Sequence, residues 1–165
     1  MAGNLINSYA PVLALHCSLG SSAQWRSLAR AMPERTVIAT DLMGYGDAPF
    51  PAHEESFSLD HEVDAIEREL LRSGIGTRPL HLVGHSYGGA VAFRFALRNP
   101  DRVKSIALFE PVTIWLLRRA FADCVTAEIS GTHMAPVENR VQVDSAIAAF
   151  IRKSERLASV ELKVA

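Results

Sequence analysis

Short apolar runs alternate along the chain with stretches whose apolar residues recur at helical spacing. The runs Pro11–His16, Thr36–Thr40, Leu80–Gly84 and Val103–Phe109 are flanked by small or turn-forming residues and read as buried strands. Between them, Trp25, Leu28 and Met32 form one helical stripe, Leu59, Val63, Ile66 and Leu70 a second, and Val91, Phe95 and Leu97 a third. Ser21 or Ser22 can cap the first helix, Gly74 closes the second, and Asn99-Pro100 stops the third. Near the end, Val125–Ser130 alternates like a further strand. Val143, Ile147, Phe150, Ile151 and Leu157 then mark a closing amphipathic helix. Strands alternating with helices at this spacing predict right-handed crossovers in a parallel sheet. The expected fold class is therefore α/β: a compact parallel sheet of about five strands, with helices on both faces and the strand ending at Gly84 central.

Composition narrows the class without changing that picture. The 165 residues carry a formal charge of −1 and are 48% hydrophobic, which fits a single domain over residues 1–165. No Lys/Arg run points to nucleic acid as a partner, and Arg118-Arg119 is most simply a solvated helix face. Cys17 and Cys124 are too few for a disulfide framework and show no metal-ligand spacing, so a cytoplasmic, reducing location is expected. The apolar patch within Met1–Leu19 lacks a basic start and is interrupted by His16. It fits neither a signal peptide nor a membrane span, and no membrane partner is expected.

The chemistry centres on Gly84-His85-Ser86-Tyr87-Gly88, a G-x-S-x-G sequence lying between the apolar run from Leu80 and the helical stripe from Val91. At a sharp strand-to-helix turn the Ser86 hydroxyl is lifted out of the sheet. Gly84 and Gly88 let the two backbone arms pass closely, and the first N–H groups of the helix face whatever the serine attacks.

Residues 11–112 resemble the core of an α/β-hydrolase. The resemblance is carried by His16-Cys17-Ser18-Leu19-Gly20-Ser21-Ser22 with Trp25, by Asp41-Leu42-Met43-Gly44-Tyr45-Gly46, by Gly84–Gly89 and by Asn99-Pro100-Asp101-Arg102-Val103. It implies Ser86 as nucleophile and an oxyanion hole made by the backbone N–H groups of Ser18 and Tyr87. Cys17 stands where the family usually has Gly. In the family a lid, an acid-bearing strand and a final strand precede the catalytic histidine. Here only Thr113–Phe121 stands in that interval, within a residual lid or crossover at 113–123, so an internal deletion is expected. Residues 124–158 then supply the last strand, a histidine loop and the closing helix, after a short lead at 1–10. His133, in Gly131–Glu138, resembles the family's histidine and is the only one after Ser86. His53, His61, His81 and His85 read as surface or packing residues.

For the acid, some family members, including a group of haloalkane dehalogenases, use the position after the strand beyond the nucleophile. Glu110 occupies it, while Asp123 and Glu128 are poorer placed. Dehalogenase chemistry is not expected, because that group has Asp where this chain has Ser86. The resemblance thus implies a serine hydrolase of small ester-type substrates with Ser86, His133 and Glu110 catalytic and with no metal or organic cofactor. The rival class is a catalytically dead or impaired remnant that acts at most as a binding module. The strand at Thr36–Thr40 should be a sheet edge without charge or proline, which predicts self-association through edge strands.

Overall fold

The computed structural model describes residues 9–52, 54–110 and 133–161. Four parallel strands, β1 (Val12–Leu15), β2 (Val37–Thr40), β3 (Leu80–His85) and β4 (Val103–Phe109), form one sheet in the order β2-β1-β3-β4. The expected fifth strand, Val125–Ser130, lies outside the described residues, as does the Thr113–Phe121 segment. Burial follows position in the sheet: every residue of β1 and β3 is buried, whereas β2 is half-buried and β4 largely so.

Side chains alternate across the strands, so each face builds its own core. Leu13, Leu15, Leu80 and Leu82 pack against α2 (Leu59–Arg72) and α3 (Tyr87–Arg98) through Val63, Ile66, Leu70, Val91 and Phe95. On the other face Val12, Ala14 and Val83 pack against α1 (Arg26–Ala31) and, beyond the short helix α4 (Ala135–Glu138), against α5 (Arg140–Glu161). Trp25, Leu28, Met32, Val143, Ile147 and Ile151 complete that layer. Burying each such large side chain contributes about 1.5–3 kcal/mol.

Three predicted details change. Leu97 is 56% exposed because three residues from Arg94 it falls on the solvent side of α3, and Phe150 likewise faces out of α5. The Leu157 side chain lies outside the described residues. Neither Ser21 nor Ser22 caps α1 with its hydroxyl; the chain enters through a 3-10 turn, Ser22–Trp25, and the Asp41 carboxylate accepts the Ser22 N–H at 2.5 Å. Gly74 does close α2, at φ 77°, with the Gly74 N–H on Leu71 O and the Ile75 N–H on Leu70 O, the paired bonds of a Schellman ending. Among the described residues no helix is long and apolar enough to cross a membrane.

Candidate active site

All four strands point their C-terminal ends the same way, so the loops after β1, β2, β3 and β4 gather at one edge of the sheet. β3 ends at His85 and α3 begins at Tyr87, leaving Ser86 alone to make the turn. Its backbone takes φ 51° and ψ −115°, a region that costs a non-glycine residue about 1–3 kcal/mol. The Ser86 N–H still bonds Phe109 O at 3.0 Å, prolonging the β3–β4 ladder, while its C=O already accepts the Gly89 and Ala90 N–H groups of α3. The glycines allow this crowding. A Cβ on Gly84 would stand 2.6 Å from Gly88 O and 2.7 Å from Gly89 Cα, and one on Gly88 would run into the carbonyls of Leu15 and His16.

The loop after β1 is fixed from several sides. His16, fully buried, donates from Nδ1 to Cys17 O at 2.7 Å and accepts the Leu42 N–H on Nε2 at 3.0 Å. Burial holds its pKa below the ordinary histidine value despite the Cys17 carbonyl and the Asp41 charge, so the neutral ring that this pairing requires is favoured. Cys17 O also accepts the Gly20 N–H, and the Cys17 N–H bonds Gln24 Oε1 at 3.2 Å. With the Cys17 carbonyl held, the Ser18 N–H across the same trans peptide points the opposite way. Cys17 suits this loop without glycine's freedom, because the left-handed position falls on Leu19, at φ 59°.

The loop after β2 is a brace. Asp41 accepts N–H groups from Ser22 and Asp47; burial opposes its charge, but those donors hold its pKa below the usual carboxylate range. Glu62, buried in α2, accepts the Tyr87 hydroxyl at 3.0 Å and the Met43 N–H at 3.2 Å. Burial raises the Glu62 pKa, and burial together with that carboxylate pushes the Tyr87 phenol upward. The Tyr87 side chain is thereby pinned away from the elbow, and its N–H stays at the head of α3 without a helical partner.

Glu110 follows β4 directly, at φ 39°, and its carboxylate accepts the His133 Nδ1–H at 2.5 Å. Both side chains are about half exposed, at 53% and 48%. The structure therefore brings two of the sequence-predicted groups together, and it sets them beside the elbow: the His133 ring lies 4.9 Å, centroid to centroid, from His85. Among the hydrogen bonds of the described residues none joins His133 to Ser86, and Ser86 itself is 8% exposed. A cleft of about 580 Å³ opens at the β1 loop, between Ser18, Gln24, Arg30, Met134 and Arg140; Ser86 does not line it.

Two residues in this region carry no motif. Gln24 and Glu62 are polar groups on otherwise apolar helical stripes, four residues before Leu28 and Ile66 respectively, and each is buried. That mismatch was the available signal, since a buried polar side chain must find partners.

A family profile described as alpha/beta hydrolase fold matches residues 10–126. The chain belongs to the α/β-hydrolase family. Among curated relatives, lipase LipV of Mycobacterium tuberculosis is 37% identical over 102 residues, covering 62% of this chain and 37% of the relative. A haloalkane dehalogenase of Agrobacterium fabrum is 35% identical over 106 residues, covering 64% of this chain and 34% of its own. Of solved structures, a haloalkane dehalogenase from Agrobacterium tumefaciens superposes with a TM-score of 0.54 at 32% identity over 68% of this chain and 41% of its own. A probable hydrolytic enzyme from Pseudomonas aeruginosa gives 0.59 at 25% identity, over 67% and 36% respectively. The chain thus spans roughly a third of the length of these curated relatives.

Proposed function

We propose that this chain is a serine hydrolase that cleaves small esters through an acyl-enzyme on Ser86. The observation that carries the reading is the strained Ser86 turn inside G-x-S-x-G, since such strain persists where a protein needs a side chain in one exact place. The Glu110–His133 pair supports it. A carboxylate accepting Nδ1–H leaves the neutral imidazole with its lone pair on Nε2, the tautomer of a general base.

In the proposed reaction Ser86 Oγ attacks the ester carbonyl and its proton passes to His133 Nε2. The N–H groups of Ser18 and Tyr87 hold the oxyanion, and Glu110 balances the imidazolium. The alcohol leaves with that proton. Water then repeats the sequence on the acyl-enzyme, releasing the acid and freeing Ser86. No metal or organic cofactor is required. The relatives include both a lipase and dehalogenases, and Ser86 in place of the dehalogenases' Asp favours the ester branch. With little chain available to roof the site, small activated esters are the expected substrates and long acyl chains poor ones. The sparse cysteines suit a cytoplasmic setting, and the balanced charge gives no footing for nucleic acid.

The second reading, a non-catalytic remnant, is favoured by one observation: His133 and Ser86 share no hydrogen bond. Catalytic contacts are often loose before substrate binds, so kinetics decide. Ser86→Ala and His133→Ala should each reduce ester hydrolysis by about 10³-fold or more, and the double variant should lose little beyond either. Labelling of Ser86 by a fluorophosphonate should parallel activity. Additive losses, or an unaltered rate in either single variant, would reject the assignment.

A further inference from the structure

The His85 ring, set on the strand side of the elbow and fully buried, is shared between the loops that the proposed reaction must align. Its Nδ1 lies 3.1 Å from Gln24 Nε2, and its Nε2 lies 2.8 Å from the backbone oxygen of His133. A carbonyl oxygen can only accept, so His85 carries its proton on Nε2 and accepts the Gln24 amide on Nδ1. Gln24 in turn accepts the Cys17 N–H on Oε1, which fixes which end of its amide faces which partner. The result is a directional chain: Cys17 N–H to Gln24, Gln24 to His85, His85 to His133 O. The same ring meets Phe109 edge-on at 5.4 Å, one residue before Glu110.

We infer that Gln24 and His85 are positioning residues, a buried bridge that holds the oxyanion loop and the His133 loop in fixed relation to one another. The inference rests on the serine-hydrolase reading and adds how its half-exposed base is oriented. His133 is held at two points, its backbone carbonyl by His85 and its ring Nδ1 by Glu110, so rotation of the ring about its own chain is restricted from both sides. At the other end, Gln24 holds the Cys17 N–H while His16 and Gly20 hold the Cys17 carbonyl, so the two peptides that lead into the Ser18 N–H are both constrained. Neither Gln24 nor His85 touches the reacting atoms. Their effect is on alignment, and a displacement near 1 Å at a base or oxyanion donor costs about 10²-fold in rate.

The test uses the full chain, p-nitrophenyl acetate as substrate, and imidazole ¹⁵N NMR. In the wild type, His85 should show a protonated Nε2 and an unprotonated Nδ1 at neutral pH. An imidazolium or the Nδ1–H tautomer would overturn the bridge without reference to any variant. His85→Leu should lower kcat about 10²-fold with KM changed less than about 3-fold, because alignment acts on the transition state rather than on binding. His85→Gln, which returns an N–H toward the His133 carbonyl, should recover most of that loss, whereas a purely space-filling role would let Leu serve as well as Gln. Gln24→Leu should lower kcat in the same manner and release the His85 tautomer. A folded His85→Leu enzyme with wild-type kcat, alongside a Ser86-dependent wild type, would overturn the inference alone. Equal hydrolysis by wild type and Ser86→Ala would instead overturn the serine-hydrolase reading on which the catalytic role stands.

Discussion

Glu110 is held in an unfavourable backbone conformation, φ 39° in a residue with a Cβ, and the carboxylate that results faces His133. A turn of that kind costs about 1–2 kcal/mol, so some contact at the end of β4 must retain it. Among the described residues the contact found there is the pair with His133, yet it is half exposed and water screens the interaction. These two facts set the expected size of its effect. In a buried triad, replacing the acid by its amide costs about 10⁴-fold; here solvent stands in for part of the lost charge, and Glu110→Gln should lower kcat by about 10- to 10²-fold. Because the amide keeps the carboxylate's shape, the melting temperature should move by no more than about 3 °C. Steady-state kinetics and thermal melting of the one variant check both figures, and an unaltered kcat would pass the acid's role elsewhere. His85 teaches the complementary lesson. Read as a packing residue from sequence, it is indeed buried, with burial the main cause holding its pKa below the usual value, but both ring nitrogens are engaged by groups of the site.

At the scale of elements, two glycines with opposite constraints show what the elbow demands. Gly74, after α2, has φ 77° and open space where a Cβ would stand, so alanine there meets only backbone strain and should cost about 1–2 kcal/mol. Gly84, inside β3, has no positive φ to strain, but its Cβ would press on the Gly88 carbonyl and the Gly89 Cα, backbone that cannot move without shifting α3. Gly84→Ala should therefore cost about 3 kcal/mol and displace Ser86, whereas Gly74→Ala leaves activity intact. Urea unfolding with parallel ester assays separates the two; equal stability losses would argue against the close crossing of strand and helix. The four described strands, the elbow and the three helical stripes were legible because each obeys a local period or a local steric need, and Glu110 was singled out by the resemblance, which places an acid directly after the strand beyond the nucleophile. The Asp41 cap on the entry to α1, the Glu62–Tyr87 brace and the Gln24–His85 bridge were not. Each joins residues 19 to 61 positions apart, and no local pattern encodes which distant loop a buried polar group will meet. Leu97 was misread for a related reason, since at the end of α3 an apolar residue at nearly the right spacing met no partner element.

For the molecule as a whole, the sheet order leaves β2 outermost among the described strands, paired with β1 along one side only. Val37, Ile38 and Ala39 bear no charge, and the strand contains no proline or bulge of the kind that blunts natural edges. Half-buried side chains on both faces mean that a second copy of this chain could add its own β2 and cover apolar surface as well as pair backbone groups. Self-association through this edge is the expected outcome, visible as a concentration-dependent sedimentation coefficient in the micromolar range. The substitution that tests it must spare the core. Ile38 packs against the α2–α3 layer, so a lysine there would lose folding and association together. Thr36 is exposed and immediately precedes the strand, and its carbonyl, which bonds the Val12 N–H, is unaffected by the side chain. Thr36→Lys should keep the melting temperature while shifting the chain toward monomer, the more so at low salt, where repulsion between the two introduced charges is least screened. A wild-type chain that sediments as a monomer at high micromolar concentration removes the edge as an interface, and so does a Thr36→Lys chain that associates as strongly as the wild type at every salt concentration.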